Sequence, residues 1–182
     1  MNKIIKKLDS KSEQALNYML DKSVQSIKSG NFQLDVRTDF ILTTTISINI
    51  SREEYLIITN EWSDTQKEGI NYFELNARIE KKPADIKTKK DPKLKNSLIH
   101  YPNFSSLLLG ATSKLTEIIV YERIEKGEVE EVKYDSAIFF KRADNLCFLI
   151  KNDDSITGYL KLVTKDKQIE IELSELKQRI KI

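Results

Sequence analysis

The chain has 182 residues, of which 40% are hydrophobic and 32% charged, and its 30 basic and 28 acidic side chains leave a formal charge of +2. This near-balance excludes a uniformly basic nucleic-acid binder, and periodic apolar residues along most of the chain exclude general disorder. The length suits one domain, 1–182, whose single core hides roughly 70% of the unfolded surface without staples.

With Cys147 as the single cysteine, neither an intrachain disulfide nor a thiolate metal cluster can form. Within Leu146-Cys147-Phe148-Leu149-Ile150 it reads as a small buried hydrophobe. No apolar run approaches the ~18 residues of a membrane span, and charge returns at Lys6-Lys7 before a signal-peptide core can form. The expectation is a cytoplasmic protein without metal or cofactor.

The first element is predicted as an amphipathic helix. Ser10 with Glu13 has the form of a capping box, Leu16, Met19, Leu20, Val24 and Ile27 recur at spacings of three and four, and Gly30 supplies a stop. Ile4, Ile5 and Leu8 lie in phase with that stripe. From Phe32 to Ile50 every even position is apolar or threonine: Phe32, Leu34, Val36, Phe40, Leu42, Ile46 and Ile48 are predicted to share one core face. One unbroken strand of that length would extend about 60 Å, so a bend or turn is expected near Thr38-Asp39. Ser51 with Glu54 again has capping-box form and predicts a helix through Tyr55, Ile58 and Trp62, although Ile57-Ile58-Thr59 is β-branched. Phe73, Leu75, Ala77 and Ile79 alternate with polar residues and predict a strand.

Residues 81–97 read as an exposed lysine-rich loop. Between Lys81 and Lys95 stand seven lysines against Asp85 and Asp91, a local balance of +5 with little apolar content. Asn103 to Leu115 predicts a short helix with Phe104, Leu107, Leu108, Ala111 and Leu115 on one side. Strands follow at Glu117–Ile124, Val129–Lys141, Leu146–Lys151, Ile156–Val163 and Gln168–Leu173, joined by four-residue polar turns that require antiparallel hairpins. Leu176 and Ile180 place a helical turn in the tail. The fold class is therefore α+β: predominantly antiparallel β, a sandwich or partly open barrel, with an N-terminal amphipathic helix packed on it and one or two short helices.

Chemistry-bearing patterns are sparse. Adjacent acids such as Glu53-Glu54 and Glu130-Glu131 diverge on a strand or helix and make no dyad. His100 stands near Ser105 and Ser106 without a nucleophile motif, and Gly110-Ala111-Thr112-Ser113-Lys114 lacks the second glycine and the Gly-Lys ending of a phosphate loop. The Thr/Ser-rich alternation at 38–51 also occurs in membrane-inserting hairpins, but half-buried sheet is its commoner source. Tyr101-Pro102-Asn103-Phe104, after a strand-rich half, is similar to the order in SecB-like export chaperones, where Pro-Asn opens a helix. Here Leu108-Leu109-Gly110 replaces that family's Pro-Tyr-Ala-Arg-Glu stretch and strands are predicted where it has helices, so the chain is not assigned to it.

These readings lead to a non-catalytic protein that binds a partner, another protein or its own copy, through its β-sheet, in the manner of many phage and mobile-element accessory proteins. One alternative is a nucleic-acid-associated factor using Lys87, Lys89, Lys90, Lys93 and Lys95, whose ammonium groups would contact phosphates. That segment offers no aromatic residue for base stacking and no arginine for base edges. Another is a small-ligand binder with an apolar cavity within the sheets.

Overall fold

The computed structural model describes residues 1–34, 39–51, 53–90, 98–100, 104–153, 155 and 157–182, with side chains described at all of these except 90 and 98–100. In chain order the elements are β1 (Asn2–Lys6), α1 (Ser10–Met19), β2 (Ser23–Ser29), β3 (Gln33–Leu34), β4 (Phe40–Thr43), β5 (Ile46–Ser51), β6 (Glu54–Asp64) and β7 (Asn71–Glu80). They continue as β8 (Thr88–Lys90), β9 (Leu98–His100), β10 (Ser105–Lys126), β11 (Glu130–Arg142), β12 (Cys147–Asn152), β13 (Leu160–Val163), α2 (Asp166–Leu173) and β14 (Lys177–Lys181). Antiparallel β-structure dominates, as expected, and the principal sheet is open rather than closed.

Strand β10 organises that sheet. Its first half pairs with β2 and its second with β11, so the strand order runs β3-β4-β13-β12-β11-β10-β2-β5-β6-β7, with β1 added parallel to β11 and β14 antiparallel to β10. The register slips between Leu108 and Ser113, where Gly110 takes a φ of 83°. Such a bulge bends a strand and raises its twist. The two arms consequently share one core: Leu56, Ile58, Leu75 and Ala77 from β6 and β7 belong to the same cluster as Ile138, Phe140, Phe148, Ile150, Leu160 and Leu162.

Helix α1 closes the open side of that core with Leu16 and Met19, both fully buried. It also seals the free edge of β7, because the Ser12 hydroxyl accepts a hydrogen bond from the Ala77 amide at 3.0 Å. From the opposite arm, the Asn152 amide donates to the Phe73 carbonyl at 2.8 Å. An edge strand satisfied by side chains in this way is a poor template for another strand. The outer face of β11–β13 carries a second cluster of Ala137, Leu149 and Val163, covered by Ile169 of α2. A buried ion pair between Lys151 and Glu172, 2.8 Å, ties that helix down.

Several expectations are corrected. Helix α1 is capped by Asp9, whose carboxylate accepts the Ser12 amide at 2.7 Å, and it ends ten residues later. Asp21 then adopts a φ of 63°, which aspartate tolerates, and redirects the chain, so Val24 and Ile27 reach the core from strand β2 rather than from the helix. Ile4 and Ile5 lie on β1.

The even positions of 32–50 do not share one face. Ile46 and Ile48 are in the main core, but Ile41 packs on that core from the odd set, Phe40 packs on the second cluster, and Leu34 is 71% exposed. The described break falls at Thr44-Thr45, where the Thr43 hydroxyl bonds the Thr45 carbonyl at 3.0 Å. Threonine suits either face, which let the alternation run on through the turn; Val36 and Thr38 lie outside the described residues.

Residues 54–64 are strand β6, not helix. Tyr55, Leu56, Ile57 and Ile58 are all buried because the strand is covered on both faces, which erases alternation. Residues 105–115 are likewise part of β10, so the helix after Phe104 is absent. Conversely, 166–173 is helix α2: its i, i+4 pair Ile169 and Leu173 packs on the second cluster while Ile171 points out, 54% exposed. The tail is strand β14, placing Ile180 against the main core.

Because Leu16 is fully buried between α1 and the arms, Leu16→Ala is expected to cost about 2–5 kcal/mol in denaturant unfolding. Ile171→Ala, on the exposed side of α2, is expected to stay within about 0.5 kcal/mol of the parent.

Candidate functional site

The lysine segment is more anchored than its composition suggests. Pro83 and Ile86 are buried, the Ala84 amide bonds the Ser47 hydroxyl at 3.0 Å, and β8 and β9 pair as a hairpin outside the main sheet. Lys87 and Lys89 are exposed on it. Lys93, Lys95 and the Lys90 side chain lie outside the description, as does the His100 side chain. The described lysines therefore do not converge on a pocket. Cys147, partly buried, packs on the second cluster, and burial pushes its thiol above the ordinary range.

A different surface draws apolar groups together. At the corner made by β1, β11 and β10, register places Ile5, Lys133 and Ile124 side by side in one row, and Lys3, Glu131 and Lys126 in the next. Residues paired across a ladder project from the same face. Ile5 is 59% and Ile124 43% exposed, and Met1 and Val129 stand exposed at the strand ends, where the Asn2 amide bonds the Val129 carbonyl at 2.7 Å. Of nine exposed large hydrophobic residues among those described, these four gather at one corner. The opposite face of the same strands is closed: Ile4, Val132 and Tyr134 pack with Tyr72, whose ring lies 5.6 Å from that of Tyr134.

The charges on this face are arranged asymmetrically. The Lys3 and Lys126 side chains are 68% and 63% exposed, whereas Glu131, which pairs with both, is only 14% exposed. Lys133 lies 2.7 Å from Glu122, itself 4% exposed. The carboxylates sit down in the sheet and the ammonium groups stand out, so an approaching partner meets aliphatic side chains rimmed by cations.

Two carboxylates fix the corner. Glu68, in the β6–β7 turn, accepts amides from Glu128, Val129 and Glu130 at 2.7, 3.1 and 2.6 Å. Glu130 reciprocates by accepting the Lys67 and Glu68 amides at 3.1 and 3.0 Å. Desolvation pushes Glu68 upward, but its amide hydrogen bonds outweigh that and hold the carboxyl below its ordinary range. Glu130 is lowered as well, first by the Thr65 hydroxyl. Gly127 makes room: a Cβ there would collide with the Glu68 carboxylate.

Sequence reasoning did not single out this corner. Ile5 was placed in phase with a helical stripe and Ile124 at the end of a predicted strand. Only the parallel pairing of β1 with β11, distant in the chain, brings them together, and no local pattern announces it. Comparison with protein-family models, curated proteins and solved structures returned no match. No helix among the described residues is long and apolar enough to cross a membrane.

Gly127→Ala is expected to break the clamp, lower the melting temperature and accelerate hydrogen exchange of the Glu128, Val129 and Glu130 amides. For Glu68→Gln the sign follows from the lowered carboxyl: the wild-type advantage is complete above about pH 5 and disappears as pH falls through the depressed folded-state pKa. Melting curves of both proteins across the acid range check this.

Proposed function

We propose that the chain is a non-catalytic interaction protein that binds a partner protein through the outward face of β1, β11 and β10. The observation that carries the reading is the row Ile5–Lys133–Ile124 with its exposed lysine rim. Isolated exposed aliphatic residues are ordinary, whereas a cluster rimmed by polar groups marks an interaction surface. The charge pattern favours a partner segment that presents apolar side chains flanked by carboxylates. Two further features support a face rather than an edge as the contact. The β7 edge is occupied by Ser12 and Asn152, and Lys3 and Lys6 on β1 disfavour addition of a strand there.

The test is affinity capture of the partner by the full chain, followed by binding measurements with the purified pair. The double change Ile5→Asp and Ile124→Asp is expected to abolish complex formation with little change in melting temperature, because both side chains are exposed. Changing Lys87, Lys89, Lys90 and Lys93 to glutamine is expected to leave the complex intact, since exposed charges contribute little to stability. If the double change has no effect while the quadruple change removes a salt-sensitive electrophoretic shift, the nucleic-acid reading replaces this one.

A further inference from the structure

A second site lies on the other side of the molecule, where the core face of β6 runs out into solvent. Leu56, Ile58, Asn60 and Trp62 share parity on that strand. Leu56 and Ile58 are fully buried, Asn60 is half-buried and Trp62 is 57% exposed. The transition is made by an amide latch: Asn60 donates to the Asn152 side-chain carbonyl at 3.0 Å, and Asn152 donates onward to the Phe73 backbone at 2.8 Å. The latch ends the dry core, and above it opens a cleft of about 150 Å³. Phe73, paired with Trp62 across the ladder, and Tyr134 form its apolar walls, and Asn71, Arg123 and Glu125 its polar rim.

The chemistry of this lining is selective. The volume accepts one six-membered ring. Trp62 offers a broad apolar face with a polar N–H at its edge, a platform on which a ring can stack. Arg123 lies 2.6 Å from Glu125, and Asp153, also in the lining, lies 3.3 Å from Lys161. Each charge is thus matched locally, so the cleft provides no net cation to hold a phosphate and no net anion to hold an ammonium group. The rim combines a carboxylate acceptor, guanidinium donors and a carboxamide that does both. An uncharged ring with one apolar face and hydroxyl groups around its edge meets all these conditions.

We propose that the Trp62 cleft binds a pyranose ring of a neutral saccharide, stacked on Trp62 and hydrogen-bonded by its hydroxyl groups to Asn71, Arg123 and Glu125. The ring can be a free sugar or one residue of a longer glycan. This site is separate from the protein-binding corner and does not depend on it.

Trp62 is the single tryptophan of the chain, so its emission reports on the cleft directly. The full chain is titrated with glucose, galactose, mannose and N-acetylglucosamine and with their dimers, and in parallel with AMP and choline. At least one uncharged sugar is expected to shift the emission saturably, a dimer binding more tightly if the natural ligand is a glycan. By calorimetry, Trp62→Ala is expected to weaken that binding about tenfold or more. Should Trp62→Ala unfold, Glu125→Gln carries the same test, with a severalfold loss expected. The Ile5→Asp, Ile124→Asp protein is expected to bind the sugar as the parent does, and loss of binding there would overturn the assignment. So would the absence of any response to sugars up to about 10 mM, or saturation by AMP or choline in their place.

Discussion

Arg142 carries its guanidinium to a position with no solvent exposure, and the bend of the sheet depends on how that group is satisfied. A buried charge without partners costs several kcal/mol. Here the fork donates to the Leu109 carbonyl at 2.8 Å and to that of Ala111, and it pairs with Asp144. Those two carbonyls lie within the β10 bulge, where the ladder to β2 is interrupted. The arginine therefore replaces strand pairing at the point where β10 passes from one arm of the sheet to the other. Lys114 and Ala143 secure the same junction through a backbone hydrogen bond of 2.8 Å.

Once β10 is bent there, the remaining architecture follows. The arms face each other across one core, α1 fills the open side, and the free edge of β7 is closed from both directions by Ser12 and Asn152. On the far side of β11–β13, α2 covers the apolar face and is held by Lys151 and Glu172. Two of the surfaces left uncovered lie at the extremities. One is the β1–β11–β10 corner, stiffened by the reciprocal Glu68 and Glu130 clamp. The other is the cleft where Trp62 projects beyond the Asn60–Asn152 latch. Both lie away from the shared core and from the points where Ser12 and Asn152 hold the β7 edge.

The strand-rich, antiparallel character was legible from alternation in Phe73, Leu75, Ala77 and Ile79 and from the polar turns of the last third. Where that signal failed, the cause was physical. Tyr55 to Ile58 is buried on both faces, so its strand shows no alternation. Ile169, Ile171 and Leu173 fit strand and helix spacing equally, and only contact with the second cluster selects the helix. Ser10 and Ser51 matched capping boxes, but Asp9 caps α1 and no helix follows Ser51. The corner was invisible locally because it is created by pairing between the first strand and one far along the chain. The lysine segment attracted attention through composition, although its described part is a hairpin seated on Pro83 and Ile86. Trp62 was read as a helical residue; it lies instead on β6, exposed beyond the Asn60–Asn152 latch.

The central claim, that the β1–β11–β10 face receives a protein partner, is tested most directly by hydrogen exchange of the chain with and without that partner bound. The account predicts added protection in residues 2–6, 124–126 and 129–133, with amides of the β8–β9 hairpin unchanged. Protection confined to residues 81–90, or spread along β7, would contradict it.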